Sequence, residues 1–175
     1  QTVLVPSRAL DVVNRLLSDA SNFSIQLGEH DAGFTLDDVK IVTRLIEGEF
    51  PNYRGLIPDS HPNQLTVDRK TLISGVQRVR LLARDATPVR LVMNNEGLEL
   101  IAIAQDVGQA HESMDAAYTG NELTVAFNPE YLLDGLEVSP GDEVRLDTVD
   151  ALKPAILRGV GDDDFLYLLM PVRVS

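Results

Sequence analysis

Two groups of residues in this chain have the type and spacing to do something specific. The first is basic: Arg69, Lys70, Arg78, Arg80 and Arg84, five of the 15 lysines and arginines, crowd into one short stretch. At about 100° per residue, Arg69, Lys70, Arg80 and Arg84 share a sector of roughly 100° beside an apolar face of Leu72, Val76, Val79 and Ala83. Such a stripe suits phosphate oxygens, although a solvated helix face has the same pattern. The second group is apolar. Leu168, Leu169, Met170, Pro171 and Val172 form a tail that proline removes from central-strand duty, and a flexible methionine beside it suits an adaptable groove for a partner peptide. A final strand completing a sheet is the plainer reading, and the two are compatible.

Catalytic chemistry has no clear carrier. His30, His61 and His111 fall in a turn, in a proline-rich stretch and in a strand, with no i, i+4 pairing, so a histidine metal site is not expected. Asp162, Asp163 and Asp164 follow Gly159, Val160 and Gly161, but three consecutive carboxylates point in different directions and lack the spacing of a calcium loop. They leave one alternative open, a small acidic α+β hydrolase using a carboxylate-bound metal. No nucleophile elbow, phosphate-binding loop or dinucleotide fingerprint is present, and no enzyme activity or cofactor is expected.

Composition narrows the field further. With no cysteine among 175 residues, disulfides, thiolate zinc sites and cysteine nucleophiles are excluded. A 44% hydrophobic and 24% charged chain has material for one ordinary core and part of a second. No apolar run approaches the roughly 20 residues of a membrane helix, and no basic segment leading into an apolar one opens the sequence. A cytoplasmic location away from membranes is expected. The net charge of −12 would repel nucleic acid if spread evenly, so its distribution matters more than its sum.

The elements that must position these groups recur. Thr2 to Val5 reads as a strand, and Ser7 as the cap of a helix carrying Leu10, Val13, Leu16 and Leu17. Strands at Phe23 to Leu27, Gly33 to Leu36 and Val39 to Leu45 follow. The stretch from Gly48 to Pro62, with Pro51, Gly55, Pro58 and Pro62, reads as an interdomain linker. The pattern restarts with a strand at Leu65 to Val67, a helix capped by Asp68, and strands at Val89 to Met93, Leu98 to Gln105 and Gln109 to Ala116. It restarts again with a strand at Leu123 to Phe127 and a helix from Asn128 through Leu136. Strands near Glu143 to Thr148, Lys153 to Arg158 and Phe165 to Met170 complete that round. Three rounds of strand, helix and three strands at a spacing of about 60 residues predict an α+β repeat protein. One helix on one meander leaves strand edges unpaired, so rounds two and three should mate, and round one calls for a mate supplied by a preceding segment of a longer chain or by another molecule.

Three segments carry a resemblance to a known family. They are Thr43-Arg-Leu-Ile-Glu-Gly-Glu-Phe-Pro-Asn-Tyr53, Phe127-Asn-Pro-Glu-Tyr-Leu-Leu-Asp134 and Tyr167-Leu-Leu-Met-Pro-Val-Arg173. In this order they resemble the bacterial sliding clamp, the β subunit of the replicative DNA polymerase holoenzyme. The resemblance implies the DNA-clamp fold, with helices on one face of antiparallel sheets, and covers the last three of its six repeats. It implies that residues 1–58 are the second half of a middle domain and residues 63–175 a complete C-terminal domain. It further implies a homodimeric ring in the full-length protein, topologically and non-specifically held on double-stranded DNA, with Arg69, Lys70, Arg80 and Arg84 facing the duplex.

Its partners would be the polymerase catalytic subunit, the clamp loader and repair proteins, which dock a short linear motif in a groove. The matching groove positions are Pro51 in the linker, Asn128 and Tyr131 at the helix start, and Leu152 and Pro154 in a late strand. Leu168, Met170, Pro171, Val172 and Arg173 in the tail complete them. Gly55 departs from the family pattern, standing where a basic residue is common, and Val174 and Ser175 extend past the usual Arg-Leu ending.

Overall fold

Behind Pro6 the apolar period becomes helix α1 (Ser7–Leu17) in the computed structural model, which describes residues 2–82, 87–105 and 107–174. Ser7 is the first helical residue and not the cap. Pro6 occupies the cap position, its carbonyl accepting the amides of Ala9 at 3.0 Å and Leu10 at 3.3 Å. Thr2 to Val5, expected as a strand, forms none. The Leu4 carbonyl accepts the Ile46 amide at 2.9 Å, and one such bond is not a ladder.

The chain divides into two compact units, residues 1–52 and 53–175. In the first, β1 (Phe23–Leu27), β2 (Asp31–Leu36) and β3 (Val39–Arg44) form an antiparallel meander in sequence order. Val13 of α1 packs with Ala32, Phe34 and Leu36 of β2, and the Phe23 ring stacks on Phe34 with centroids 6.4 Å apart. Leu10, Leu16 and Leu17 stay exposed although their spacing marks them as a buried face. The same holds for Phe23, Ile25 and Leu27, which the register with β2 puts on its buried side. A single helix is too narrow to cover three strands, so burial concentrates on the middle one.

The division falls between Asn52 and Tyr53, so most of the proline-rich stretch groups with the second unit, where Tyr53–Leu56 makes one 3-10 turn. There β4 (Asn63–Asp68) leads into α2 (Arg69–Val79). Asp68 Oδ1 accepts the Thr71 amide at 2.7 Å and the Thr71 hydroxyl at 2.6 Å, satisfying an otherwise orphaned first-turn donor. β5 (Val89–Asn94) turns tightly into β6 (Gly97–Ala104), Gly97 supplying the positive φ of 128°. The strand expected at Gln109 to Ala116 is β7 (Gly108–Met114), and a further short strand outside that expectation, β8 (Ala117–Thr119), follows it in a different sheet. β9 (Leu123–Phe127), α3 (Pro129–Val138), β10 (Glu143–Thr148), β11 (Ala155–Gly159) and β12 (Tyr167–Leu169) complete the unit.

Rounds two and three mate by exchanging their first strands. The sheets run β12-β11-β10-β4-β8 and β7-β6-β5-β9, so β4 opens round two yet pairs with the meander of round three, and β9 does the reverse. Every pairing is antiparallel, which makes the fold α+β with antiparallel sheets. Alternation turns Leu65 and Val67 of β4, Val89 and Leu91 of β5, and Val144 and Leu146 of β10 into one core. Leu72, Val76 and Val79 of α2 join Leu132, Leu133 and Leu136 of α3 in it, and the exchange merges two small apolar faces into a single core. Among the described residues no helix is long and apolar enough to cross a membrane.

Candidate functional site

Asn128 caps α3, its Oδ1 accepting the Glu130 amide at 2.8 Å, and Pro129 fills the first turn, where a missing amide costs nothing. This local chemistry puts Tyr131 on the exposed side of the first turn, with 59% of its surface accessible. Its carbonyl accepts the Tyr167 hydroxyl at 2.9 Å. Tyr167 opens β12, which among the described residues pairs only with β11, at a sheet edge. Past Leu169 the tail leaves the ladder, and the Val172 amide donates to the Ala126 carbonyl of β9 at 2.7 Å. The tail therefore starts on one sheet and is pinned on the other.

Beside that pin lies a depression of about 310 Å³ lined by Leu152, Val172 and Arg173 together with Thr124, Ala126, Ala151 and Val174. Leu152 and Pro154 do not sit in a strand as expected; β11 begins at Ala155. Asp150 Oδ1 captures the amides of Leu152 at 2.8 Å and Lys153 at 2.9 Å, and Pro154 has no amide to give, so no ladder can form before Ala155. That turn presents Leu152 outward, 61% exposed. Met170 is 55% exposed, Leu168 and Pro171 are half-buried, and Pro51 is exposed in the first unit. The structure thus gathers Leu152, Val172 and Arg173 into one hollow, and joins Tyr131, in the helix that Asn128 caps, to the tail through Tyr167. Sequence reasoning missed Ala126, which alternation puts on the face of β9 away from the core, yet it is buried.

The basic stripe is less free than its helical wheel implies. Arg69 donates from Nε to the Gly141 carbonyl at 2.8 Å and from Nη1 to the Leu136 carbonyl at 3.3 Å, placing its charge at the carbonyl end of α3. Arg80 pairs with Glu130 at 3.2 Å, and Arg78 makes two bonds to Glu112, at 2.5 and 3.2 Å. α2 and α3 are therefore cross-tied at both ends, start to end and end to start. Lys70 is exposed, and Arg84 lies outside the described residues, as does Ala83.

Residues 54–173 match the family model for the DNA polymerase III beta subunit, C-terminal domain, and residues 1–52 match the one for its central domain. The chain belongs to the DNA polymerase III beta subunit family. Among relatives, the beta sliding clamp of Synechocystis sp. is 33% identical over 98% of this chain and 46% of its own length. That of Staphylococcus aureus is 29% identical over 99% and 47%. A crystal structure of the sliding clamp from Bartonella birtlesii, bound to griselimycin, is 34% identical with a TM-score of 0.87, covering 98% of this chain and 47% of that one. The polymerase III beta of Caulobacter crescentus gives 27% and 0.87 over the same shares. The chain spans about half the length of the curated relatives it matches.

The other residues singled out in this beta-subunit chain have structural places. Asp162 Oδ1 accepts the amides of Asp164 at 2.9 Å and Phe165 at 3.1 Å, closing the turn before β12. Among the described residues no three histidine, aspartate or glutamate side chains gather as a metal site. His111 lies 2.9 Å from Glu99 on the exposed face of β6 and β7, and His30 stands 3.9 Å from Glu29 on the surface.

Proposed function

We propose that this chain serves a DNA sliding clamp, a processivity factor that encircles duplex DNA and tethers the replicative polymerase. The observation that carries this reading is the likeness to the Bartonella birtlesii sliding clamp across 98% of the chain, both units included. Residues 1–58 supply the second half of a middle domain, and residues 63–175 a complete C-terminal domain. In the full-length protein two subunits close a ring. The charge of −12 is compatible with this role if the acidic residues face outward and Lys70, with Arg69, Arg80 and Arg84, faces the duplex. Binding is then electrostatic and independent of sequence, as sliding requires.

A tether performs no chemistry and needs no cofactor. The hollow beside Ala126 and the exposed Tyr131 form the groove for a linear motif of the polymerase catalytic subunit, the clamp loader or repair proteins. Leu152, Met170 and Val172 offer apolar contact, Pro171 stiffens the wall, and Arg173 and Asn128 give polar contacts at the rim. Griselimycin, bound in the Bartonella birtlesii structure, is proposed as a ligand of this chain as well.

The test is extension of a primed circular template by the cognate polymerase and loader, with and without the full-length protein. Products should lengthen in one binding event when the protein is present. Equal product lengths under both conditions would refute the proposal.

A further inference from the structure

The tail segment that carries the groove residues Leu168, Met170, Pro171 and Val172 has two ties to the same strand-helix segment. One is the Val172 amide on Ala126 of β9. The other is the Tyr167 hydroxyl on Tyr131 of α3. Tyr167 itself lines none of the hollow, yet its backbone belongs to the tail wall and its hydroxyl to the helix wall. Its ring packs against Gly135, where an added Cβ would come within 2.6 Å of the ring carbon Cδ1. Glycine is the least favoured non-proline residue inside a helix, so its presence in the middle of α3 calls for such a packing reason. Burial first, then the Asp134 carboxylate and Tyr131, raise the Tyr167 phenol above its ordinary range, so it remains a donor near neutral pH.

We propose that Tyr167 is a positioning residue of the groove: seated in the notch at Gly135 and bonded to Tyr131, it sets the spacing between α3 and the tail. The inference rests on the peptide-groove reading and deepens it. A single phenol joins a residue of one wall, Tyr131, to the strand that continues into the other, so loss of that bond leaves the tail held by its ladder with β11 and by Ala126, without its tie to α3.

The experiment compares the full chain with Tyr167→Phe, which keeps the ring on Gly135 and removes only the hydroxyl, and with Gly135→Ala, which displaces the ring. Three quantities are read: the melting temperature, hydrogen exchange at the amides of Leu168, Leu169 and Met170, and calorimetric affinity for a synthetic polymerase-tail peptide. Tyr167→Phe should melt with the parent, exchange faster at those amides and bind the peptide about three- to tenfold more weakly. Gly135→Ala should change exchange and affinity in the same direction and further. Tyr131→Ala keeps the backbone carbonyl that accepts the Tyr167 hydroxyl, so it should leave exchange at those amides unchanged.

Unchanged exchange in Tyr167→Phe would overturn the tether, whatever the peptide does. Faster exchange with unchanged affinity would overturn its role in binding. A lower melting temperature with unchanged affinity of the folded protein would make Tyr167 merely structural. If the unaltered chain binds no peptide, the groove reading itself fails and the positioning role falls with it.

Discussion

Arg80, one residue beyond α2, holds its guanidinium 3.2 Å from the Glu130 carboxylate in the first turn of α3. Arg69, the first residue of α2, reaches the Leu136 carbonyl near the far end of α3. The same stripe that would face DNA thus also cross-ties two antiparallel helices, and the two duties compete for the same charges.

Replacing Glu130 by glutamine should release Arg80 toward solvent. Both side chains are substantially exposed, so stability should move by no more than about 0.5 kcal/mol. Retention of the full-length protein on nicked circular DNA should improve, with a steeper dependence on salt. Weaker or unchanged retention would show that Arg80 does not see the duplex.

Lys70 and Arg69 should separate cleanly. Lys70→Glu should shorten retention on DNA while leaving urea unfolding unchanged, since Lys70 is exposed. Arg69→Ala should lower unfolding stability by about 1 to 2 kcal/mol, because two charge-assisted bonds to backbone carbonyls are lost. Equal effects of the two variants in both assays would contradict the distinction drawn from their contacts.

Deleting Met170 through Ser175 should abolish most binding of a polymerase-tail peptide, because Val172 and Arg173 line the hollow. Each apolar anchor left in water would forfeit about 1.5 to 3 kcal/mol. Calorimetry on the deleted and intact chains decides this, and equal affinities would move the site elsewhere.

Acid should destabilise the protein through identifiable carboxylates. The Ser21 amide lowers the pKa of Asp37, the Thr71 hydroxyl that of Asp68, the Arg78 guanidinium that of Glu112, and the Leu152 amide that of Asp150. Each is depressed in the folded state and ordinary in the unfolded one. Their contribution is complete above the unfolded pKa values and declines as the pH falls below about 4 toward the folded ones. Urea midpoints measured from pH 7 to pH 2.5 should be flat and then drop. The drop should shrink in Asp68→Asn, and an unaltered profile in that variant would remove Asp68 from the account.

Residue type and spacing alone account for what forms within a few residues of the chain. Asp68 capping through Thr71, Asn128 through Glu130, and the tight turn ending at Gly97 are contacts between near neighbours, so residue type and spacing suffice. The recurrence of strand and helix was legible for the same reason, and the three family segments rested on local order. That β4 joins the meander of the following round and β9 that of the preceding one emerges from the packed fold. Either pairing satisfies the same backbone donors, and the choice depends on which arrangement buries the faces of α2 and α3 together. The same packing decides that Ala126 is covered by the tail, that Leu152 stands in a turn, and that Arg69 and Arg80 are tied across the helices. Each depends on a partner distant in the chain or on an amide captured by a side chain, which alternation and helical spacing do not encode.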